Sequence, residues 1–175
     1  MGSVNRVALA EQAYRDALAA ARAESSPHTW RRLVRAAQNL RDAQPKRAGA
    51  LRGGHARPGP SVLLVEDDAA TRDALRDILS EQRIRVWTAA DGRAALELLR
   101  SGRITPSVIV MDLMLPRMSG FELREALRAD PALAGIPVVA MTGDRNAQID
   151  AARRFDKPFD ATDLVDALLE LARSA

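Results

Sequence analysis

Three short apolar runs each end in an oxygen-bearing side chain, and this repeated design constrains the fold more than any other feature of the chain. Val62-Leu63-Leu64-Val65 leads into Glu66-Asp67-Asp68, Val108-Ile109-Val110-Met111 into Asp112, and Val138-Val139-Ala140-Met141 into Thr142-Gly143. An aliphatic run without polar alternation reads as a strand covered on both faces, as in a parallel sheet. These runs alternate with segments of helical spacing, which argues a doubly wound α/β architecture. If the strands lie side by side and parallel, their carboxyl ends meet, and ligands bind at that edge in open α/β sheets. Glu66, Asp67 and Asp112 then crowd together, with Thr142 and the later Lys157 beside them. Carboxylates packed that closely repel, so a pKa rises or a cation enters. Oxygen ligands with water positions to spare suit Mg²⁺. Taken singly, each residue has a plainer reading: Asp112 as a loop cap, Glu66 to Asp68 as caps of the next helix, Thr142 as a loop hydroxyl, Lys157 as a surface lysine.

The intervening segments are consistent with this plan. A helix is expected from about Ala69 to Gln82, with Leu75, Ile78 and Leu79 facing inward. A second strand, Ile84 to Thr88, is more polar and belongs at an edge. Asp91-Gly92 turns into a helix with Ala95, Leu96 and Leu99 as its stripe. Ser119 and Glu122 form a capping box for the next helix. Asp160 and Asp163 open a last one, striped by Leu164, Ala167, Leu168 and Leu171.

Four features, in order, carry a resemblance: the acidic cluster, the Asp112-Leu-Met-Leu-Pro-Arg-Met-Ser-Gly-Phe-Glu122 segment, Met141-Thr142-Gly143, and Asp156-Lys157-Pro158-Phe159. Together they resemble the receiver domain of bacterial two-component response regulators, over roughly residues 61–174. The resemblance implies a five-stranded parallel sheet in flavodoxin-like order 2-1-3-4-5. It implies Asp112 as phosphoryl acceptor, with Mg²⁺ held by Glu66, Asp67, Asp112 and the Met114 backbone carbonyl. Thr142 would bond a phosphoryl oxygen, Lys157 would offset its charge, and Gly143 would leave room. Lys157-Pro158 is a candidate cis peptide, since X–Pro bonds lose little by it. Asp68 is expected to act as a cap, and Asp144, Asp150 and Asp156 to be solvated.

One region departs from the family pattern. Between Thr142 and Lys157 the chain is short, so a helix is expected only over about Asn146 to Ala152, and strand five over little more than Arg154-Phe155. The family's aromatic three residues before the lysine is here Arg154. The usual output face and switch are therefore altered.

Ahead of this domain the character changes. Residues 1–60 hold 11 basic and 4 acidic side chains, a net +7, whereas residues 61–175 are net −4. Val7, Ala10, Tyr14, Ala17, Leu18 and Ala21 have helical spacing. Ser25-Ser26-Pro27 breaks it, and Trp30, Leu33, Val34, Ala37 and Leu40 form a second stripe. The expectation is an α-helical hairpin over 1–44, a Pro/Gly-rich flexible linker over 45–60, and the receiver over 61–175. Two helices bury little on their own, so the hairpin is expected to pack on something, with a homodimer through these helices one arrangement. Arg31, Arg32, Arg35 and Arg41 read as a solvated face, and no zinc-finger or helix-turn-helix signature supports nucleic-acid binding. His28 stands in a loop or first turn and His55 in the linker, poor places for a phosphotransfer histidine.

The chain has no cysteine, so neither a disulfide framework nor a thiolate metal site is available. No apolar run approaches the roughly 20 residues that span a bilayer, and no signal-peptide core opens the chain; a cytoplasmic location is expected. Three functions follow. The leading one is a phosphoacceptor rather than an enzyme, taking a phosphoryl group from a sensor histidine kinase or phosphotransfer protein. With no DNA-binding or enzymatic segment after the receiver, it would act through protein contacts. The shortened region motivates a second, a non-phosphorylated interaction module. The third, a phosphatase with an aspartyl-phosphate intermediate, lacks the second Asp two residues on, where Met114 stands.

Overall fold

The computed structural model describes residues 2–23, 27–43 and 60–174. The chain divides into two compact units, Met1–Gly59 and Pro60–Ala175. In the first, helices α1 (Gly2–Ala23) and α2 (Pro27–Ala43) pack on each other. Ala17, Ala21, Leu33 and Val34 are buried, as the two stripes predict; Ala36 and Thr29 are buried as well. His28 falls in the first turn of α2 and is exposed, as are Arg32 and Arg35. The expected linker and His55 lie outside the described residues, as do the side chains of Trp30, Arg31 and Arg41.

The second unit is an alternating series: β1 (Ser61–Val65), α3 (Ala69–Glu81), β2 (Arg85–Ala89), α4 (Gly92–Arg100), β3 (Val108–Asp112), α5 (Gly120–Ala129), β4 (Val138–Thr142), β5 (Arg153–Asp156) and α6 (Ala161–Ser174). The five strands form one parallel sheet in the order β2-β1-β3-β4-β5. Every residue of the central strands β3 and β4 is buried, whereas β2 and β5 carry exposed residues at the two edges. Strand β2 begins one residue later than its apolar pattern suggests; Ile84 is buried, but its N–H bonds back to the Leu79 carbonyl at the end of α3.

Alternation along the strands divides the core. Leu63, Val65, Ile109, Met111 and Ala140 share one cluster with Ala95, Leu96 and Leu99 of α4 and Leu123 and Leu127 of α5. Helices α3 and α6 pack together, against β1 and β3. Helix starts follow the caps expected of them: the Asp68 carboxylate accepts from Thr71 N–H, Asp91 from Ala94 N–H, and Ser119 and Glu122 complete a reciprocal box.

The connection from β4 to β5 differs from expectation. The helix anticipated over Asn146 to Ala152 is absent, and residues 143–152 run as a turn and an irregular strap. Parallel neighbours need a connection that returns the length of a strand, about 17 Å for five residues, besides climbing onto the sheet face and back. Seven helical residues advance only about 10 Å. The ten residues between Thr142 and Arg153 must therefore stay stretched. The strap is sealed by buried Ala147 and by Ile149 and Ala151 on the core, and β5 runs one residue further at each end than expected.

Candidate phosphoacceptor site

Register decides which side chains meet. Val65 of β1 pairs with Met111 of β3, so Glu66 and Asp112 emerge beside each other at the carboxyl edge. Asp112 pairs with Met141 of β4, and Thr142 with Asp156 of β5. Lys157, the next residue, donates its backbone N–H to the Thr142 carbonyl at 2.7 Å. The Lys157-Pro158 bond is cis.

Carboxylate oxygens of Glu66, Asp67 and Asp112 all lie within 4.8 Å of one another. Glu66 and Asp112 are buried and Asp67 is exposed, so the cluster opens to solvent on one side. The Lys157 ammonium donates to Glu66 Oε2 at 2.8 Å and to Asp112 Oδ2 at 2.6 Å. The other Asp112 oxygen, Oδ1, accepts the Met114 N–H at 2.9 Å. The Met114 side chain points out, 68% exposed.

The electrostatics show a pocket short of positive charge. Burial pushes the Glu66 carboxyl up; the Lys157 charge pulls against this, Asp112 adds to it, and the balance stays above the ordinary glutamate range. Burial alone would lower the Lys157 ammonium, but Glu66 and Asp112 outweigh it by charge and hydrogen bond, so it stays above the ordinary lysine range. One ammonium thus serves two buried carboxylates, with Asp67 beside them, and leaves Glu66 still reluctant to ionise. An all-oxygen set with that deficit fits a small divalent cation.

Thr142 is buried at the neighbouring strand tip, but its hydroxyl is engaged with the strap: it accepts the Asp144 N–H at 3.0 Å and donates to the Asp144 carbonyl at 3.3 Å. A Cβ at Gly143 would meet nothing within 4 Å. Of the acids expected to be solvated, Asp150 pairs with Arg124 at 2.9 Å and Asp156 with Arg154 at 2.9 Å. Asp144 caps the turn through Asn146 N–H.

Sequence reading missed three residues. Arg72 of α3 donates to the carbonyls of Glu66 at 2.7 Å and Asp67 at 3.2 Å, clasping the acidic loop from behind. Asp91 is buried and bonded to Arg117 in the loop after Asp112. Asp91 had a visible signal in its Asp-Gly turn; the two arginines had none.

A doubly wound parallel sheet with a solvent-open acid pocket at its carboxyl edge, and a lysine reaching in from the last strand, defines a flavodoxin-like α/β domain with its site at the switch point of the sheet. The model of the response regulator receiver domain matches residues 62–169, and the chain belongs to that family, whose members serve two-component systems. It is 46% identical over 91 residues to the transcriptional regulatory protein AfsQ1 of Streptomyces coelicolor, covering 52% of this chain and 38% of that protein. It is 35% identical over 119 residues to the response regulator MprA of Mycolicibacterium vanbaalenii, covering 64% of this chain and 50% of that protein. The chain thus spans half or less of these relatives. Among solved structures, the receiver domain of the sensor histidine kinase PA1611 of Pseudomonas aeruginosa, with a magnesium ion in its active-site cleft, superposes with a TM-score of 0.59 at 26% identity, over 66% of this chain and 98% of that one. Chemotaxis response regulator CheY4 of Vibrio cholerae gives 0.58 at 28% identity, over 65% and 98%. No helix among the described residues is long and apolar enough to cross a membrane.

Proposed function

We propose that the chain is a phosphoacceptor receiver, with Asp112 taking a phosphoryl group from a phosphohistidine of a sensor histidine kinase or phosphotransfer protein. The observation that carries this is the meeting of Asp112 with Glu66 and Asp67 within 4.8 Å, with Lys157 at 2.6 Å. An Asp112 oxygen attacks phosphorus in line, the P–N bond breaks, and the imidazole nitrogen leaves with the electron pair. A carboxylate is a weak nucleophile, so the transfer depends on neutralising charge on the moving group. Lys157 supplies one positive charge. Glu66, Asp67, Asp112 and the Met114 carbonyl would hold Mg²⁺, which when bound neutralises the phosphoryl oxygens. The magnesium in the PA1611 receiver supports that assignment. Thr142 would turn its hydroxyl from Asp144 to the phosphoryl group.

In this reading residues 61–175 are the receiver, 45–60 the segment that joins it to what precedes, and 1–44 a hairpin available for protein contacts, including a second copy. Output runs through protein–protein interaction. The protein works in the cytoplasm, where ATP-dependent kinases make phosphohistidine, and has no turnover beyond slow self-phosphorylation and dephosphorylation. Labelling with ³²P-acetyl phosphate and Mg²⁺ tests this: incorporation is expected in the parent chain and absent in Asp112→Asn. No incorporation, or equal incorporation in the variant, rejects it.

The strap in place of a helix favours one alternative, a receiver-like module that binds a partner without phosphorylation. That reading requires Asp112→Ala to bind the partner as the parent does.

A further inference from the structure

We infer that the ion pair between Asp91 and Arg117 is a positioning device for the acid pocket. It fixes the loop that carries Met114, and through it the orientation of Asp112 and the pocket's affinity for a divalent cation. This rests on the reading that the pocket takes Mg²⁺ and a phosphoryl group.

The loop in question is residues 113–119, which leaves β3 directly after Asp112. On its near side it is tied to the pocket. Met114 N–H holds Asp112 Oδ1 at 2.9 Å, and Gly120 N–H holds the Leu113 carbonyl at 3.0 Å. The fit there is tight: a Cβ on Gly120 would lie 2.4 Å from the Asp112 carbonyl oxygen.

On its far side the loop is tied to the start of α4. Asp91 is 3% exposed, and its two oxygens are divided. Oδ1 caps α4 through the Ala94 N–H at 2.9 Å. Oδ2 accepts Arg117 Nε–H at 2.9 Å and a second bond from the same guanidinium. Beside it, Gly92 N–H donates to the Met118 carbonyl at 3.1 Å, and a Cβ on Gly92 would come within 2.6 Å of that oxygen.

Arg117 itself has a φ of 63°, a left-handed backbone that disfavours any residue with a Cβ and that glycine adopts freely. What an arginine adds at such a place is its guanidinium. Anchored at both ends, the loop cannot shift at Met114 without breaking a charge-assisted bond to a buried carboxylate. Outer partners that orient ligands tune a metal site in this way.

The test uses the full chain with Arg117→Gly, Asp91→Asn and the double variant. Arg117→Gly removes the guanidinium and relieves the backbone, so its melting temperature should stay near the parent's; Asp91→Asn keeps the helix cap and should lose only about 4–8 °C with the ion pair. Mg²⁺ affinity by calorimetry should fall about tenfold in each single variant, with no further fall in the double variant, because the pair acts as a unit. Labelling by acetyl phosphate should slow at limiting Mg²⁺ and recover at saturating Mg²⁺. Parent-like affinity in both single variants, or an affinity loss that merely follows a loss of melting temperature, overturns the inference. A parent chain that binds Mg²⁺ but takes no label sinks the phosphoacceptor reading and leaves the affinity comparison to decide this one; a parent that binds no Mg²⁺ overturns both.

Discussion

Lys157 and Asp112, 45 residues apart in the chain, meet at 2.6 Å, ammonium to carboxylate, at the carboxyl edge of the sheet. The same ammonium reaches Glu66 at 2.8 Å. The lysine follows the edge strand β5 and the acids stand at the ends of β1 and β3, so the contact exists only when the whole parallel register is correct.

Replacing Lys157 should therefore expose the pocket's charge deficit. Lys157→Ala leaves two buried carboxylates facing each other, and breaking a buried pair of this kind should cost about 3–5 kcal/mol without Mg²⁺. The folded-state pKa of Lys157 is raised, so its contribution is complete below the ordinary lysine value and fades as pH rises through the folded one; at neutral pH the full loss is seen. Adding Mg²⁺ should raise the melting temperature of Lys157→Ala more than that of the parent, because binding to the folded state stabilises it. Equal shifts in the two proteins would refute the account.

The pair between Asp91 and Arg117 should leave a signature in acid. The hydrogen bond from Arg117 holds the Asp91 carboxyl below the ordinary aspartate range. Its contribution is present above the ordinary aspartate value and lost as pH falls through the lowered one. Denaturant melts should separate the parent from Asp91→Asn by about 1 kcal/mol at neutral pH, the solvent-exposed guanidinium limiting the effect. The gap should close as the pH is lowered through and below the ordinary aspartate range. A gap that does not change with pH would contradict this.

The strap over residues 143–152 should open first when its arginine is removed. Arg124, largely buried, donates to the Asp150 carbonyl at 2.6 Å and to its carboxylate at 2.9 Å. Arg124→Ala should destabilise the domain by about 1.5–3 kcal/mol. Hydrogen exchange should rise in the strap before it rises in β3 or β4, as local opening takes the least-packed segment first. Uniform exchange across the domain would show that the strap is not a separate unit.

Two glycines should behave oppositely. Gly120→Ala drives a Cβ to 2.8 Å from Leu113 Cα as well as onto the Asp112 carbonyl, backbone that has no way to yield, and should cost about 2 kcal/mol or more. Gly143→Ala meets nothing within 4 Å and should be neutral or stabilising by up to about 1 kcal/mol. Thermal melts of the two variants, side by side, decide the matter.

How much of this was legible beforehand follows from the range of the forces involved. The buried strands announced themselves by continuous apolar runs, the helices by their stripes and caps, and the acids by standing just past each strand, since all of these are local patterns of period and polarity. Because a parallel sheet has few orders, the convergence of Glu66, Asp67, Asp112 and Lys157 was also within reach of the sequence. What the tertiary structure alone decided lies where distance, not pattern, rules. The strap replaced the expected helix because a fixed number of residues had to span a fixed strand length. The Thr142 hydroxyl turned to Asp144 because the strap begins beside it. Arg72, Asp91 and Arg117 became part of the site because long side chains found carbonyls and a buried carboxylate from other elements, and a flexible arginine carries no mark in the sequence of where its guanidinium will come to rest.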